Sequence, residues 1–323
     1  MIGSAKAIAE FILNNDDIAV ITHIRPDGDA YGSTLCMLEA IRALGKRAFP
    51  ACEDIVDEKH RFLPDSGDFA VKDNMPFAPK AVLSVDVSDA KRMGAFEEVF
   101  FACEKRACLD HHATNTGFCD ISYIDGKAAA AGEMVLEVIR ALGVSLNRDM
   151  ALNAYTAIST DTGNFSFSST TGNTYRYAAM CVDAGVDVED TTRTLYRTRS
   201  IQKTQLLGYA LDRIEFFENG RVAAIRLNDA AFEKIGATRA DANSIVNYLN
   251  EIEGVYVGIL ADEMKDGVKF SFRAGVGADV AEIARQFGGG GHIAAAGATV
   301  NGVTMEEIFP RVIEAACLAA REM

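Results

Sequence analysis

Short runs that are apolar at nearly every position alternate with stretches of helical period through the first half of the chain. The segment "AKAIAEFILNN" (5–15) has the spacing of an amphipathic helix, and "DIAVIT" (17–22) follows as a run too short for one. Helical "STLCMLEAIRALG" (33–45) then gives way to "RAFPAC" (47–52), "KAVLSVD" (80–86) and "KRACLD" (105–110), before helical "AAAAGEMVLEVIRALG" (128–143). Strands apolar on both faces, alternating with helices, predict a parallel sheet covered on both sides. From 147 to 211 the pattern is almost wholly helical, broken at "STDTGNFSFSSTTGN" (159–173). Strands return in "DRIEFFENGRVAAIRL" (212–227), "VYVGILADE" (255–263) and "GVKFSFRAG" (267–275). Helices are predicted at 240–250 and 280–288, and again at the tail in spite of Pro310.

The fold class expected is therefore α/β: an N-terminal parallel-sheet domain over 1–195, a linker at 196–209, and a smaller α+β domain over 210–323, with a cleft between the two. A chain of 323 residues, 49% hydrophobic and 24% charged, exceeds one ordinary core and agrees with two domains. No window approaches the roughly 18 apolar residues of a membrane span, and the opening stretch has no leader pattern. The expectation is a cytoplasmic protein. Seven cysteines without a CxxC pair read as reduced thiols. The formal charge of −14 opposes polyanions, which excludes a long duplex as partner and leaves small phosphorylated substrates.

Three predicted strands end in groups able to bind metal. "IAVIT" runs into His23, Asp27 and Asp29, "AVLSV" into Asp86, and "RACL" into Asp110, His111 and His112. The carboxyl ends of strands in an open parallel sheet lie along one rim, so these groups converge there. Asp161, in "STDTGNF", closes a helical run and can reach the same rim. Capping explains a single Asp after a strand, and Asp29, Asp86 and Asp89 are each candidate caps. Capping does not call for histidine at two of three strand ends. Asp27, Asp29, Asp86 and Asp161 carry four negative charges, which two divalent ions would cancel. The mixture of carboxylate and imidazole, with no thiolate, points to manganese first and to cobalt, iron or magnesium as alternatives.

"HIRPDGDAYGS" (23–33), "SVDVSD" (84–89), "LDHHATN" (109–115), "STDTGNF" (159–165) and "GGGGH" (288–292) resemble, in order and spacing, the motifs of the DHH phosphoesterase superfamily with its DHH-associated C-terminal domain. The resemblance spans nearly the whole chain and is nearest to the bifunctional branch that clips short oligoribonucleotides and removes the 3'-phosphate of 3'-phosphoadenosine 5'-phosphate (pAp). It implies that His23, Asp27 and Asp86 hold one metal and that Asp29, Asp86, His111 and Asp161 hold the other, with Asp86 bridging. Asp110 would orient its neighbours and His112 would face the substrate phosphate. Arg273 and the loop of Gly289, Gly290, Gly291 and His292 would grip substrate phosphate in the second domain. Glycines let backbone amides approach an anion, and "HIAAAGA" is expected to start a helix behind them. Ser168, Ser169, Thr170 and Thr171 read as a polar turn. Arg25 departs from the neutral residue usual between the His and Pro of the first motif, and is expected to face solvent.

Two other readings compete. A soluble cyclic-di-AMP or linear dinucleotide phosphodiesterase shares the scaffold, and a nucleotide-sensing module without catalysis would show gaps in the ligand set, of which there are none. A homodimer is permitted by the sequence.

Overall fold

The computed structural model describes residues 3–119, 121–275 and 277–321. The chain divides into two compact units, Met1–Arg197 and Thr198–Met323.

The first unit holds strands β1 (Ile18–Ile21), β2 (Ala48–Ala51), β3 (Ala81–Val85), β4 (Lys105–Asp110) and β5 (Ile121–Ile124), in the order β2-β1-β3-β4-β5 and parallel throughout. Its helices are α1 (Ala5–Leu13), α2 (Gly28–Ala43), α3 (Phe96–Ala102), α4 (Ala131–Leu142), α5 (Arg148–Asp161), α6 (Gly172–Asp183) and α7 (Val188–Thr192). Side chains alternate across the sheet with period two. Ile18, Val20, Leu83 and Leu109 pack under α1, α2, α4 and α5. Ala19, Ile21 and Val82 face the other way, onto Met93, Phe96 and Phe100. Both faces are covered over β1, β2 and β3, which is why those strands read as almost unbroken apolar runs. The strand order reverses direction between β1 and β3, so the switch point lies at the carboxyl ends of those two strands.

The second unit holds α8 (Ile201–Leu211), β6 (Glu215–Phe217), β7 (Val222–Leu227), α9 (Asp229–Ile235), α10 (Asn247–Asn250), β8 (Val257–Met264), β9 (Gly267–Ala274), α11 (Val280–Gln286), β10 (Gly290–His292), β11 (Ala295–Asn301) and α12 (Met305–Arg321). Its sheet runs β10-β11-β9-β8-β7-β6. Only the β7–β8 pair is parallel; the other pairs are antiparallel. Residues 196–209, expected as a linker, instead pass from a π-turn (Arg193–Arg197) into α8. The division between the units, after Arg197, falls inside this stretch, and Leu206 of α8 is fully buried in the second unit's core, so hydrophobic burial makes the part from Ile201 a helix of that unit. The segment "HIAAAGA" does not start a helix. Seven successive residues from Ala295 pair with β9, and that ladder overrides the helix preference of its alanines. Among the described residues, no helix is long and apolar enough to cross a membrane.

One buried acid in α2 is open to test. Glu39 accepts a hydrogen bond from Asn153 Nδ2 of α5 at 2.8 Å, and burial pushes its carboxyl up to about 7. The folded state therefore holds a proton that the unfolded chain, at an ordinary glutamate pKa, has released. Stability falls as pH rises through this window. The variant Glu39→Gln keeps the shape without the charge, and should gain about 2 kcal/mol over wild type between pH 5 and pH 8 in paired denaturant melts. Parallel pH dependence of the two proteins would show that Glu39 is ionised in the fold.

Candidate metal centre

The rim at the switch point is built by three strand ends and three helix ends. After β1, Thr22 N–H donates to Ala51 O at 3.0 Å and the chain turns at His23. Asp27 then caps α2, accepting from Ala30 N–H at 3.0 Å. Asp27, rather than Asp29, is the cap. Asp29 stands within the first turn of α2, where it accepts from Ala131 N–H at 2.6 Å and Gly132 N–H at 3.0 Å at the start of α4. The amino end of α4 thus points at this carboxylate, and Asp29 also lies in the first turn of α2, where a helix dipole favours negative charge.

Asp86 follows β3 with φ of 60°, a left-handed conformation that Asp tolerates better than most residues. Its N–H donates to Leu109 O at 3.0 Å, and the residue is 1% exposed. Asp86 caps no helix; Asp89 accepts from Lys91 N–H and caps the short 3-10 turn Ala90–Met93. Asp110, His111 and His112 end β4. Asp161 is the last residue of α5, where the carbonyl end of the helix disfavours a bare carboxylate.

Glycines bring the helix ends together. A Cβ on Gly28 would stand 2.5 Å from Thr160, and one on Gly32 would stand 2.3 Å from Asn153 O. Gly28 thus meets the end of α5 and Gly32 an earlier turn, so the helices run antiparallel and bring Asp161 to the amino end of α2. Gly132 repeats the device, since its Cβ would lie 2.6 Å from that of Ala157.

The side chains converge. His111 Nε2 lies 3.5 Å from Asp86 Oδ1, 3.5 Å from Asp161 Oδ2 and 3.6 Å from Asp29 Oδ2. His23 Nε2 lies 3.6 Å from Asp86 Oδ2. Donor atoms of His23, Asp27 and Asp86 lie within 4.8 Å of one another, as do those of Asp29, His111 and Asp161. A third group joins Asp86, His111 and His112 within the same limit. These separations are too long for strong hydrogen bonds and suit ligands around a cation. The Oδ1 atom of Asp86 is buried with no hydrogen-bond partner, so the donor set fits divalent ions held between carboxylate and imidazole.

The electrostatics describe a site short of positive charge. Burial and the Asp86 carboxylate push Asp29 well above the usual range, against the pull of His111. Burial pushes Asp161 up to about 6, with Asp86 and Asp27 adding to the effect. Burial opposes charging of His111, yet Asp86, Asp29 and Asp161 outweigh it and raise the imidazole to about 10. His23 is raised in the same way, chiefly by Asp86 against burial. Burial likewise opposes ionisation of Asp86, and the two imidazoles prevail, holding it far below the carboxylate range. Protons on histidine do here what cations would do.

Asp110 has both oxygens engaged: Oδ1 with His112 Nδ1 at 2.8 Å, and Oδ2 with Asn115 Nδ2 at 2.7 Å. It orients His112 and leaves Nε2 of that half-exposed ring free. In the second unit, Gly290, Gly291 and His292 form the exposed edge strand β10. The register sets His292 opposite Ala295 and Ala295 opposite Arg273, so His292 and Arg273 share one sheet face, about 10 Å apart by strand spacing. Arg273 Nε donates to Asn247 Oδ1 at 2.9 Å. A Cβ on Gly289 would meet Gly297 O at 2.1 Å, so this glycine allows a close strand approach.

Residues 17–158 match the model of the DHH family N-terminal domain, and 219–322 match the DHHA1 domain. The chain is 33% identical over 301 residues to the bifunctional oligoribonuclease and PAP phosphatase NrnA of Thermus thermophilus, covering 92% of this chain and 88% of that protein. The chain belongs to the DHH phosphoesterase family. The corresponding NrnA of Bacillus subtilis is 27% identical, over 88% of this chain and 90% of its own length. The crystal structure of an exopolyphosphatase-related protein from Bacteroides fragilis has the same fold, with a TM-score of 0.89 at 23% identity, covering 98% of this chain and 97% of that one. RecJ of Thermus thermophilus in complex with Mn2+ superposes with a TM-score of 0.55 at 14% identity, covering 99% of this chain and 54% of that one.

Sequence reading passed over two residues of this DHH centre. Asn115, 7% exposed, ties Asp110 to Val87 O, and only its place at the end of "LDHHATN" hinted at a role. Arg92 brings its guanidinium within 3.2 Å of His23 Nδ1, while Ile24 O lies 2.8 Å from the same nitrogen. If Nδ1–H donates to Ile24 O, Nε2 keeps its lone pair for the cluster; the contact to Arg92 requires the opposite tautomer. Arg25 is exposed as expected, with φ of 53° and its N–H donating to Asp54 at 2.5 Å. Thr171 caps α6, which accounts for the polar run before it.

Gly32 gives a direct test of how the centre is assembled. In Gly32→Ala the new methyl meets a backbone carbonyl and must push α2 away from α5, at a cost of about 1–3 kcal/mol. Stability in urea should fall by that amount, and divalent-ion affinity by isothermal titration should fall with it because Asp161 is displaced. Wild-type values for both would refute the packing account.

Proposed function

We propose that this phosphoesterase hydrolyses short oligoribonucleotides to mononucleotides and removes the 3'-phosphate of pAp, using two divalent ions of which manganese is the first choice. The observation that carries the reading is the convergence of His23, Asp27, Asp29, Asp86, His111 and Asp161 on one rim around a buried, unpartnered carboxylate oxygen. It is supported by likeness to NrnA over nine-tenths of the chain and by the manganese in the RecJ structure of the same fold. His23, Asp27 and Asp86 would hold one ion and Asp29, Asp86, His111 and Asp161 the other, with Asp86 shared. Bound there, the ions supply an activated water at neutral pH and offset charge on the phosphoryl oxygens.

The remaining work falls to the chain's own side chains. His112, fixed by Asp110 at Nδ1, presents Nε2 to a phosphate oxygen and donates a hydrogen bond to it. The hydrogen bond to Asp110 raises its pKa, which favours the protonated donor. The same Nε2 can deliver a proton to the leaving oxygen. Arg273 and His292, with the amides of Gly289, Gly290 and Gly291, hold a second phosphate of the substrate.

The test is a substrate panel on metal-stripped protein with and without manganese: pAp, a linear dinucleotide, a cyclic dinucleotide, pyrophosphate and a 24-residue strand. Manganese-dependent turnover should favour pAp and the linear dinucleotide, and Asp86→Ala should lower it by at least about 1,000-fold. Preference for pyrophosphate, the cyclic dinucleotide or the long strand would replace the proposed substrate. Full activity in Asp86→Ala would remove the shared ligand.

A further inference from the structure

The chain immediately after Asp161 takes an unusual course. Gly163, Asn164 and Phe165 are left-handed in succession, with φ of 56°, 56° and 64°. For Phe165 this conformation is strained, and strain of this kind persists where the surroundings enforce it. Here Asn164 N–H donates to Ser159 O at 2.7 Å, Phe165 N–H to Thr162 Oγ1 at 3.1 Å, and Phe167 N–H to Thr162 O at 3.0 Å. The Phe165 ring is tucked inward, 5.8 Å from Tyr155 and stacked 5.6 Å from Tyr175.

The reversal carries Phe167 back over its own turn. A Cβ on Gly163 would lie 2.5 Å from the Phe167 ring, so the ring rests on the bare α-carbon of a residue two positions from Asp161. One side of the ring is thus seated, and the residue is still 58% exposed. A large apolar ring held in water, seated on the residue two positions after Asp161, contributes little to the core. It offers a flat π face next to the place where phosphate is handled, and every nucleobase has a face to match it.

We infer that Phe167 is a stacking platform for the nucleobase of the nucleotide whose phosphate lies at the Asp161 centre. The inference rests on the proposed function and names what that site recognises beside phosphate. Stacking is blind to base identity, so the platform suits a hydrolase that accepts short strands of any sequence. It also gives a preference for nucleotides over phosphate esters that lack a base.

The experiment compares manganese-loaded wild type, Phe167→Ala, Phe167→Leu and Phe167→Trp on a linear dinucleotide and on its abasic counterpart, with hydrogen at C1' of each ribose. The measured quantity is the ratio of kcat/KM for the two substrates. The Ala and Leu variants should lower the ratio about 10-fold, mainly through KM for the dinucleotide, and the Trp variant should restore it. The Leu variant keeps apolar bulk, which separates stacking from support of the loop. An unchanged ratio in Phe167→Ala, or an equal fall on both substrates, overturns the platform while leaving the proposed function standing. Wild type that cleaves neither substrate overturns the function and the platform with it.

Discussion

Four aspartates and two histidines face one another at the rim of the first sheet, and much of the local architecture answers their mutual repulsion. Asp86 is the centre of the problem, because it is buried and its near oxygen finds no protein donor. The chain supplies partial remedies: the amino end of α4 on Asp29, and a His111 imidazole that retains its proton well above the ordinary range. None of these removes the charge of Asp161, which sits at the wrong end of α5 for a carboxylate. Dispersing the acids by loosening the helices would relieve the repulsion, yet Gly28, Gly32 and Gly132 draw the helices closer than side chains would permit. Packing energy is thus used to hold like charges together, which is intelligible when cations complete the site.

That constraint also separates what the sequence revealed from what it concealed. β1, β3 and the inner half of β4 are recognisable because burial on both faces leaves them almost wholly apolar, and their ends carry the candidate ligand residues. Asp161 could be named but not placed, since its arrival depends on a helix crossing set by glycines whose role is visible only in three dimensions. β5, four residues beside acidic ones, has too little pattern to stand out. β10 and β11 were hidden for another reason: glycine and alanine carry no period-two signal, and only pairing with β9 decides their conformation. Asn115 and Arg92 act on the centre through one contact each, and single contacts leave no trace in spacing.

A net charge of −14 on a protein that handles phosphate reads at first as a contradiction. Distance resolves it. Charges on the outer surface act through water and salt, and are largely screened beyond about 8–10 Å. Ligand atoms gathered within 4.8 Å act at short range in a buried setting, where cations dominate whatever lies between them. A substrate with one or two phosphates feels mainly the centre. Each further phosphate lies farther from that short-range field and adds charge that a protein of net charge −14 opposes. The net charge and the buried centre therefore act on a phosphate at different ranges, and the two do not conflict.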